Sequence, residues 1–363
     1  MNQEKKESAK GLTRREMLKK AGLSIACIGA GGAVVGGFPG ILRASKREVV
    51  VYAWYTPVMR KLIPKFEKET GIRVKNLGGY SKDAEWFAKV KTGESFDFII
   101  PGSNYAITAI KAGMFNPLDL SRIPNYKNCG SARYMPEFMK DGRVYVAPWT
   151  RVIYAMVYNT KHIKETPDSW KVCWDPKYKG KISMNDRAIL QVAIAALVLG
   201  DDPNNPQKWD DIRRILIEQK DLVIKYWTDH TAAMEMFSRG DAWVGMHTDG
   251  RVRRWMRKNA PVSYTLPKEG ACYVMDTMAI PVTSKNPEMG HEFINFCLKP
   301  ESGITEMTEL GYLAMNEEAV KQLPEDIKSI FELPKDAKMI LLKAPPPELT
   351  AKMEKLWLEV KMS

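Results

Sequence analysis

The sequence has few of the side chains that usually bind metals or cofactors. Its 363 residues include 5 cysteines and 4 histidines. There is no C-x-x-C pair, and no cluster of His, Cys and carboxylate residues shows metal-ligand spacing. The motifs G-x-G-x-x-G, G-x-S-x-G and H-E-x-x-H are also missing. We therefore predict no metal, no cofactor and no enzymatic activity, with an exported enzyme as the alternative.

The cysteines are too widely spaced to suggest a disulfide pattern. Cys27 lies near the N-terminus, and the other four, Cys129, Cys173, Cys272 and Cys297, are far apart. Disulfides among these four are one alternative in an oxidising compartment. Buried free thiols are the other alternative, and we favour it.

Positive charge exceeds negative charge, but the basic residues are dispersed among acidic ones. The net charge is +12, and residues 1–44 contribute +5 of it, from eight Lys/Arg and three Asp/Glu. The densest later group lies in residues 251–258 and spans two helical turns, so we predict a solvated helix face there. Because a nucleic-acid-binding protein would show a clustered basic patch, we predict no nucleic-acid partner.

Residues 1–44 have the composition and order of an export signal. A basic segment with Arg14-Arg15 is followed by a weakly hydrophobic stretch, residues 21–42, that contains seven glycines, and then by small residues at 44–45. Paired arginines before a Gly-rich segment indicate the twin-arginine route, which predicts a periplasmic protein with a cleaved signal peptide at 1–44. A retained N-terminal anchor is the alternative, and Cys27 weakly resembles a lipoprotein site.

After this leader, strands and helices alternate. Short β-branched or aromatic runs predict strands at 48–54, 72–74 and 96–100, and apolar residues at helical spacing predict helices at 58–70 and 82–91. The β-α-β-α-β order predicts an α/β fold with a mostly parallel sheet and helices on its faces. Ligands bind at the carboxyl ends of such strands, where Trp54 and residues 101–105 lie.

The second half continues the alternation. Residues 145–159 are rich in β-formers and aromatics. We predict strands at 182–184, 243–246 and 273–281, helices at 189–199, 208–220 and 231–239, and a long helical tail broken by the prolines at 345–347. The chain is predicted to cross between two α/β halves near 150 and again near 275. The first lobe then comprises 47–154 plus 275–315, and the second lobe comprises 155–274 plus 316–363.

Several stretches occur in an order and spacing that are hard to obtain by chance. They are residues 52–54 with 66–74, 96–105 with 113–119, 168–180, 267–281 and 293–312. Together they resemble the periplasmic spermidine/putrescine-binding protein family of ABC transporters, over nearly all of residues 47–320. The resemblance implies a two-lobed periplasmic-binding-protein fold (type II), with two mixed sheets flanked by helices and a hinge. It also implies a monomeric substrate-binding protein that captures a small molecule and docks on permease subunits; a sensor that delivers its ligand to a receptor is an alternative.

The resemblance also indicates which residues contact the ligand. The family cages a linear polyamine with aromatic side chains and carboxylates, through cation–π contacts and charge-assisted hydrogen bonds. The predicted ligand-binding residues are Trp54, Tyr55, Ser103, Asn104, Tyr105, Arg151, Arg187, Thr248, Asp249, Asp276 and Tyr312. Trp54 matches the family's aromatic after the first strand, and Asp276 matches its carboxylate at the return crossing. A core aromatic and a satisfied turn residue are the respective alternatives.

Other positions depart from the family pattern in a way that alters charge. Arg187 and Leu190 stand where the family has carboxylates, and Arg151 and Thr248 stand where it has aromatics. Because a ligand must match the charge of a desolvated cleft, an arginine there disfavours a dication. We hypothesise that Asp276 and Trp54 hold an ammonium group while Arg187 and Arg151 hold an acid group. The alternatives are an internal ion pair of Arg187 with Asp186 or Asp249, and a surface position for Arg151.

Overall fold

The computed structural model describes residues 47–53, 57–80 and 82–363. The predicted export signal lies outside these residues, as do Trp54 and Tyr55. The strands are β1 (Glu48–Tyr52), β2 (Arg73–Asn76), β3 (Phe98–Ile99), β4 (Met139–Lys140), β5 (Arg143–Val144), β6 (Val146–Asn159), β7 (Ile182–Asn185), β8 (Val223–Trp227), β9 (Val244–Thr248), β10 (Val262–Thr265), β11 (Ala271–Ala279), β12 (Leu313–Ala314) and β13 (Met339–Leu341).

Twelve α-helices occur in the described residues. They are α1 (Pro57–Thr70), α2 (Asp83–Lys91), α3 (Ser103–Lys111), α4 (Ala188–Val198), α5 (Trp209–Lys220), α6 (His230–Arg239), α7 (Asp249–Met256), α8 (Pro287–Cys297), α9 (Pro300–Leu310), α10 (Glu317–Lys321), α11 (Glu325–Lys328) and α12 (Pro347–Met362). Short 3-10 helices occur at Leu120–Arg122, Pro124–Tyr134, Pro136–Phe138, Trp170–Trp174, Pro176–Tyr178 and Ser329–Phe331. The prolines at 345–347 therefore start the last helix rather than break it, as expected for proline in the first helical turn.

The sheet confirms the predicted α/β class. Its strands follow the order β2-β1-β3-β11-β6-β9-β7-β8, with β10 and β12 on β6 and β13 on β11. Pairing is parallel for β1 with β2 and β3, and for β7 with β8 and β9, but antiparallel where β11 and β6 enter. The two mixed sheets that the resemblance implied share the 14-residue strand β6 and so join into one continuous sheet.

Two long strands carry the chain from one side of the molecule to the other. In β6, Val146 and Trp149 pack in cores with β1, β3 and α8, whereas Tyr154 and Met156 pack in a core with β7 and β9. In β11, Cys272 and Val274 pack in the core with β7 and β9, whereas Met275 and Ala279 pack in the core with β1 and β3. We refer to the side with β1 as lobe 1 and to the side with β7 as lobe 2. The residue ranges predicted for the two lobes stay a prediction.

The C-terminal segment contacts both sides. Residues in α10 and the 3-10 turn at 329–331 pack around Met307 of α9, together with Ala314 of β12. Further on, β13 pairs in parallel with β11, and α12 packs on α4 and α5 through Met353, Trp357 and Val360. The last helix thus buttresses the helix that follows β7 in lobe 2.

Aromatic side chains pack in the lobe 1 core. Phe66 of α1 lies edge-on to Phe293 of α8, with ring centroids 4.8 Å apart, and both are fully buried; each such side chain contributes about 1.5–3 kcal/mol on burial. The four cysteines of the described residues are free and buried, as the favoured alternative expected. Across the described ranges, every helix is too short or too polar to traverse a bilayer.

Candidate functional site

Asp276 lies at the point where β11 passes from one lobe to the other. Its backbone is paired with Thr150 of β6, and a bulge follows before Thr277. On the other side, it bridges Gly102, directly before α3. Burial, and then the neighbouring Asp83, raise the pKa of the Asp276 carboxyl to about 7. The predicted carboxylate is therefore held at the crossing, in a setting that favours a cationic partner.

Asp83 is a second carboxylate at this position, and the sequence analysis did not identify it. It is the first residue of α2, and its Oδ1 accepts hydrogen bonds from Trp86 Nε1 at 2.8 Å and from the backbone N–H of Gly102 at 3.0 Å. Burial raises the pKa of Asp83, and Trp86, Gly102 and Arg187 each lower it. The spacing of Asp83 and Trp86 on one helical turn was the available signal, but nothing in it placed α2 beside Asp276.

The two carboxylates lack a basic partner within the described residues. No Lys or Arg of that part of the chain lies within 4.0 Å of either one. Tyr80, whose hydroxyl donates to the carbonyl of Ile100, is buried beside them. Burial, and then Asp83 and Asp276, raise the pKa of Tyr80 well above its usual range, so it stays a neutral donor. Because burial raises the pKa of both carboxyls, and Asp83 further raises that of Asp276, an ammonium group between them would stabilise their charged forms.

The start of α3 contributes one of its three predicted residues to this site. A methyl group at Gly102 would lie 3.0 Å from Asn104 Oδ1 and 3.1 Å from Asp83 Oδ2, so these side chains flank the same glycine. Ser103 is fully buried, and its Oγ accepts a hydrogen bond from Met275 N at 3.0 Å. Tyr105 packs on Phe87 in an apolar cluster, with centroids 6.4 Å apart. Ser103 and Tyr105 thus make contacts within lobe 1, and their role as ligand contacts stays a prediction.

Arg187 faces this acidic group from lobe 2. It is the N-cap residue of α4 and is exposed. Arg187 donates a hydrogen bond to Tyr154, a residue of β6 whose pKa is raised by burial and lowered by Arg187. Asp276 also acts on the pKa of Tyr154, so this tyrosine lies between the acidic and basic groups.

Neither predicted ion-pair alternative for Arg187 occurs. Asp186 accepts hydrogen bonds from Trp357 Nε1 at 2.7 Å and Lys361 Nζ at 3.0 Å, both in α12. Asp249 is paired with Arg253. No carboxylate of the described residues lies within 4.0 Å of Arg187. Leu190, the other departure from the family's carboxylates, is buried in the lobe 2 core.

Arg151 does not join Arg187, which corrects the hypothesis that both hold one acid group. Successive side chains of a strand point to opposite faces. Because Thr150 is paired with Asp276 and Arg151 with Met275, Arg151 lies on the face opposite Asp276 and Tyr154. Its nearest ionisable neighbours include Asp249, and burial lowers its pKa. The register of β6 and β11 could not be read from the sequence.

Asp249 is also not available to a ligand. It is fully buried, its Oδ2 pairs with Arg253 Nη1 at 2.6 Å, and its Oδ1 accepts from the Ile153 N–H at 3.0 Å. The prediction of a solvated face for residues 251–258 is wrong for Arg253. That guanidinium is fully buried and donates to the Tyr264 hydroxyl at 2.7 Å and to the carbonyls of Ile330 and Gly311.

Thr248 and Tyr312 do meet at the cleft. Thr248 ends β9, and its Oγ1 lies 2.8 Å from the hydroxyl of Tyr312, in the turn between α9 and β12. Gly250 is required for this contact, since a Cβ atom there would lie 2.1 Å from the tyrosine ring. Burial raises the pKa of Tyr312 to about 12. Arg251 and Thr248 lower this pKa, whereas Asp249 and Asp276 raise it.

We call the resulting group the cleft site, consisting of Tyr80, Asp83, Asn104, Tyr154, Arg187, Thr248, Asp276 and Tyr312. Its lobe 1 side is acidic, and its lobe 2 side carries a guanidinium. Within the described residues, there is no group of three or more His, Cys, Asp or Glu that could hold a metal ion. No candidate nucleophile–base pair emerges from the site, which suits it to binding rather than chemistry.

Comparison with known proteins gives the family. The model of the bacterial extracellular solute-binding protein family matches residues 61–335. Spermidine/putrescine-binding periplasmic protein 1 of Haemophilus influenzae is 32% identical over 290 residues, which are 78% of this chain and 79% of that protein. A putrescine/cadaverine-binding protein of Pseudomonas aeruginosa is 26% identical over 337 residues, covering 87% and 94% of the two chains.

Solved structures show the same fold. The substrate-binding protein of a spermidine/putrescine ABC transporter from Streptococcus pneumoniae has a TM-score of 0.78 at 24% identity, covering 87% of this chain and 99% of that one. A lipoprotein of Treponema pallidum has a TM-score of 0.72 at 18% identity, with 87% and 100% covered. The family model and the relatives from Haemophilus influenzae and Pseudomonas aeruginosa are solute-binding proteins, which confirms the prediction that the chain is not an enzyme. The chain therefore belongs to the bacterial extracellular solute-binding proteins, in the family of the periplasmic spermidine/putrescine-binding proteins.

Proposed function

We propose that this protein is the substrate-binding component of an ABC importer, which captures a small amine-bearing ligand in the cleft site and delivers it to membrane permease subunits. The paired acids Asp83 and Asp276 support this proposal most directly. The names of the relatives, which bind spermidine, putrescine or cadaverine, support an amine ligand. A periplasmic location agrees with those relatives, and Arg14-Arg15 supports export by the twin-arginine route. We propose that it acts as a monomer.

The ligand that fits both sides of the cleft site is an amine that also carries an acid group. An ammonium group would lie between Asp83 and Asp276, with Asn104 and Tyr80 close by. Arg187, which has no carboxylate partner among the described residues, would bind the acid group at the other end. Closure of the lobes would desolvate both contacts and strengthen them, since charges attract more strongly away from water. A linear ω-amino acid has this charge arrangement.

A linear diamine is the second candidate, and the two carboxylates favour it. A diamine would place both ammonium groups on lobe 1 acids, and the exposed side chain of Arg187 would then have to turn toward solvent. The two candidates differ in one end group. Putrescine and 4-aminobutyrate therefore form a matched pair, because they have the same ammonium group and a similar chain length.

Titration calorimetry of the mature protein with this pair tests the proposal. We expect 4-aminobutyrate to bind more tightly than putrescine. Tight putrescine binding without a response to 4-aminobutyrate would instead establish the diamine. A protein that binds no amine at all would contradict both candidates.

Replacing Arg187 identifies the acid contact. In Arg187→Ala we expect affinity for 4-aminobutyrate to fall by about 2–4 kcal/mol, or roughly 30- to 1000-fold, because a desolvated charge pair is lost. Putrescine affinity should stay the same or rise. The matched control is Arg143→Ala, which removes an exposed arginine in β5, outside the cleft site. Equal effects of the two substitutions would refute the role of Arg187.

A further inference from the structure

Three basic residues follow the ends of β7, β8 and β9 at one edge of lobe 2. Arg187 follows β7, His230 follows β8, and Arg251 follows β9. Strand β7 lies between the other two, with Asn185 paired to Trp227 and Ser183 paired to Gly245. Because all three strands are parallel, their carboxyl ends and the loops that follow lie side by side.

His230 has a buried ring nitrogen without a partner. Its Nδ1 is inaccessible to solvent and makes no hydrogen bond within the described residues. The ring is held between Trp227 and His247, with centroids 5.0 Å and 5.2 Å away. Its backbone is also fixed: the carbonyl of His230 lies 3.2 Å from His247 Nε2. Since the Thr248 N–H donates to His247 Nδ1 at 2.9 Å, the proton of His247 is on Nε2, from which it donates to that carbonyl.

His230 is also neutral near pH 7. Burial, and then Arg251, lower its pKa to about 4; Asp229 opposes this shift, and Arg187 adds to it. The two arginines are thus close enough to act on one imidazole. A neutral imidazole with an unpartnered buried nitrogen offers one hydrogen bond to a bound group.

Arg251 has no acidic partner in the described residues. It is half-buried in the first turn of α7, and no carboxylate of that part of the chain lies within 4.0 Å of it. Asp249, the acid of the same turn, is taken up by Arg253 at 2.6 Å. Arg251 also lowers the pKa of Tyr312, a member of the cleft site. Two guanidiniums thus lie at this edge without a carboxylate of the described residues within 4.0 Å, although Asp229 is also near His230.

We propose that Arg187, Arg251 and Nδ1 of His230 form one subsite for an acid group with two negative charges, such as a phosphonate, at the far end of the amine ligand. This inference rests on the proposed function and adds the class of acid. Two guanidiniums around a single carboxylate would leave one positive charge unpaired when the cleft closes, which costs binding energy. A phosphonate supplies the second charge and a third oxygen for the imidazole. The N-termini of α4, α6 and α7 add favourable dipoles to the same edge.

A matched ligand pair tests the charge of the acid group. The ligands 3-aminopropylphosphonate and 4-aminobutyrate share an ammonium group and a three-carbon spacer, and titration at about pH 8 keeps the phosphonate dianionic. We expect the unmodified protein to bind the phosphonate at least about tenfold more tightly, equivalent to roughly 1.4 kcal/mol. In Arg251→Ala this preference should disappear, whereas Arg251→Lys should retain part of it. Lys258→Ala, an exposed cation just after the same helix, is the control and should leave the preference intact.

Two substitutions at His230 distinguish the hydrogen bond of Nδ1 from the packing of the ring. His230→Phe keeps a ring against Trp227 but removes Nδ1, and His230→Asn returns an amide donor near the position of Nδ1. We expect the phosphonate affinity to fall several-fold in the Phe variant and to recover in the Asn variant. Thermal unfolding of each variant without ligand shows that the fold is kept.

The outcomes distinguish this inference from the proposed function. If 4-aminobutyrate binds at least as tightly as the phosphonate and Arg251→Ala changes neither affinity, the subsite is refuted while an acid-bearing amine stands. A phosphonate preference that survives Arg251→Ala would equally refute it. If putrescine binds and neither acid does, the proposed function fails and this inference fails with it.

Discussion

The lobe 1 side of the cleft site has acids without bases, whereas the lobe 2 side has bases without acids. Asp83 and Asp276 have no Lys or Arg of the described residues within 4.0 Å, and the same holds for Arg187 and Arg251 with respect to carboxylates. Yet lobe 2 is not poor in acids near these arginines. Asp186 is bound by Trp357 and Lys361, and Asp249 is bound by Arg253.

The difference shows that a charge contributes to a binding site only if the fold leaves it unpaired. Asp249 and Asp276 are the same residue type; Asp249 directly follows β9, and Asp276 lies within β11 at the crossing. One is neutralised by a buried arginine, and the other is free to bind a cation. Helix α12, which holds Asp186, thereby helps to leave Arg187 available, so the charge of the cleft depends on residues outside it.

Breaking the Asp249–Arg253 pair should cause the largest change, a loss in the free energy of unfolding. In Arg253→Met we expect the free energy of unfolding to fall by about 3–5 kcal/mol, because Asp249 would be left buried without its partner. The double variant Asp249→Leu/Arg253→Met should recover part of this loss, since neither charge remains buried. Denaturant unfolding of the single and double variants measures both. A single variant within about 1 kcal/mol of the unmodified protein would show that the pair contributes little.

Removing the charge of Asp276 should cause the next largest change, a loss in the binding free energy of an amine ligand. We expect Asp276→Asn to weaken binding of any amine ligand by about 2–5 kcal/mol, because the ammonium group loses a desolvated carboxylate. Asp83→Asn should weaken it too, but less, since Trp86 and Gly102 already use one oxygen of Asp83. Asp336→Asn, at an exposed position, is the control for titration calorimetry. If Asp276→Asn binds amines with unchanged affinity, the lobe 1 side of the cleft site does not bind the ammonium group.

These contrasts also show what the sequence could predict. Local patterns located β1, α1 and the helix that begins at Ala188 almost to the residue, because hydrophobic periodicity depends on near neighbours. The family resemblance located Asp276. Arg151 was misplaced because the face on which a strand residue lies depends on the register with β11, and a shift of one residue reverses it.

Asp83 and Arg253 illustrate a second limit. Both are charged residues at ordinary helical positions, where a sequence predicts solvent exposure. Asp83 becomes part of the site because α2 begins opposite Gly102, and Arg253 is buried because Gly311 and Ile330 bring carbonyls to it from distant parts of the chain. Such contacts are tertiary, so no local pattern records them.

A change of pH should alter amine affinity at the lobe 1 side of the cleft site more gradually than substitution of Asp276 does. Because the pKa of Asp276 is raised to about 7 in the folded protein, the carboxyl releases its proton only near neutral pH. Amine affinity should therefore fall by up to about tenfold for each pH unit below 7, as the acid becomes neutral. The ammonium group of the ligand stays charged over this range, so the change belongs to the protein.

The stability of the free protein should respond to pH with the opposite sign. A carboxyl whose folded pKa is raised stabilises the fold fully below its unfolded pKa, and this contribution is lost as the pH rises through the folded value of about 7. Between about pH 4 and 7, the Asp276 contribution thus declines while amine affinity increases. Titration calorimetry and unfolding at matched pH values measure the two trends, and Asp276→Asn should flatten both. If both trends persist in that variant, another group is responsible for them, and Asp83 is the nearest candidate. The pH response of the lobe 1 side of the cleft site would then depend on Asp83 in α2 rather than on Asp276 in β11.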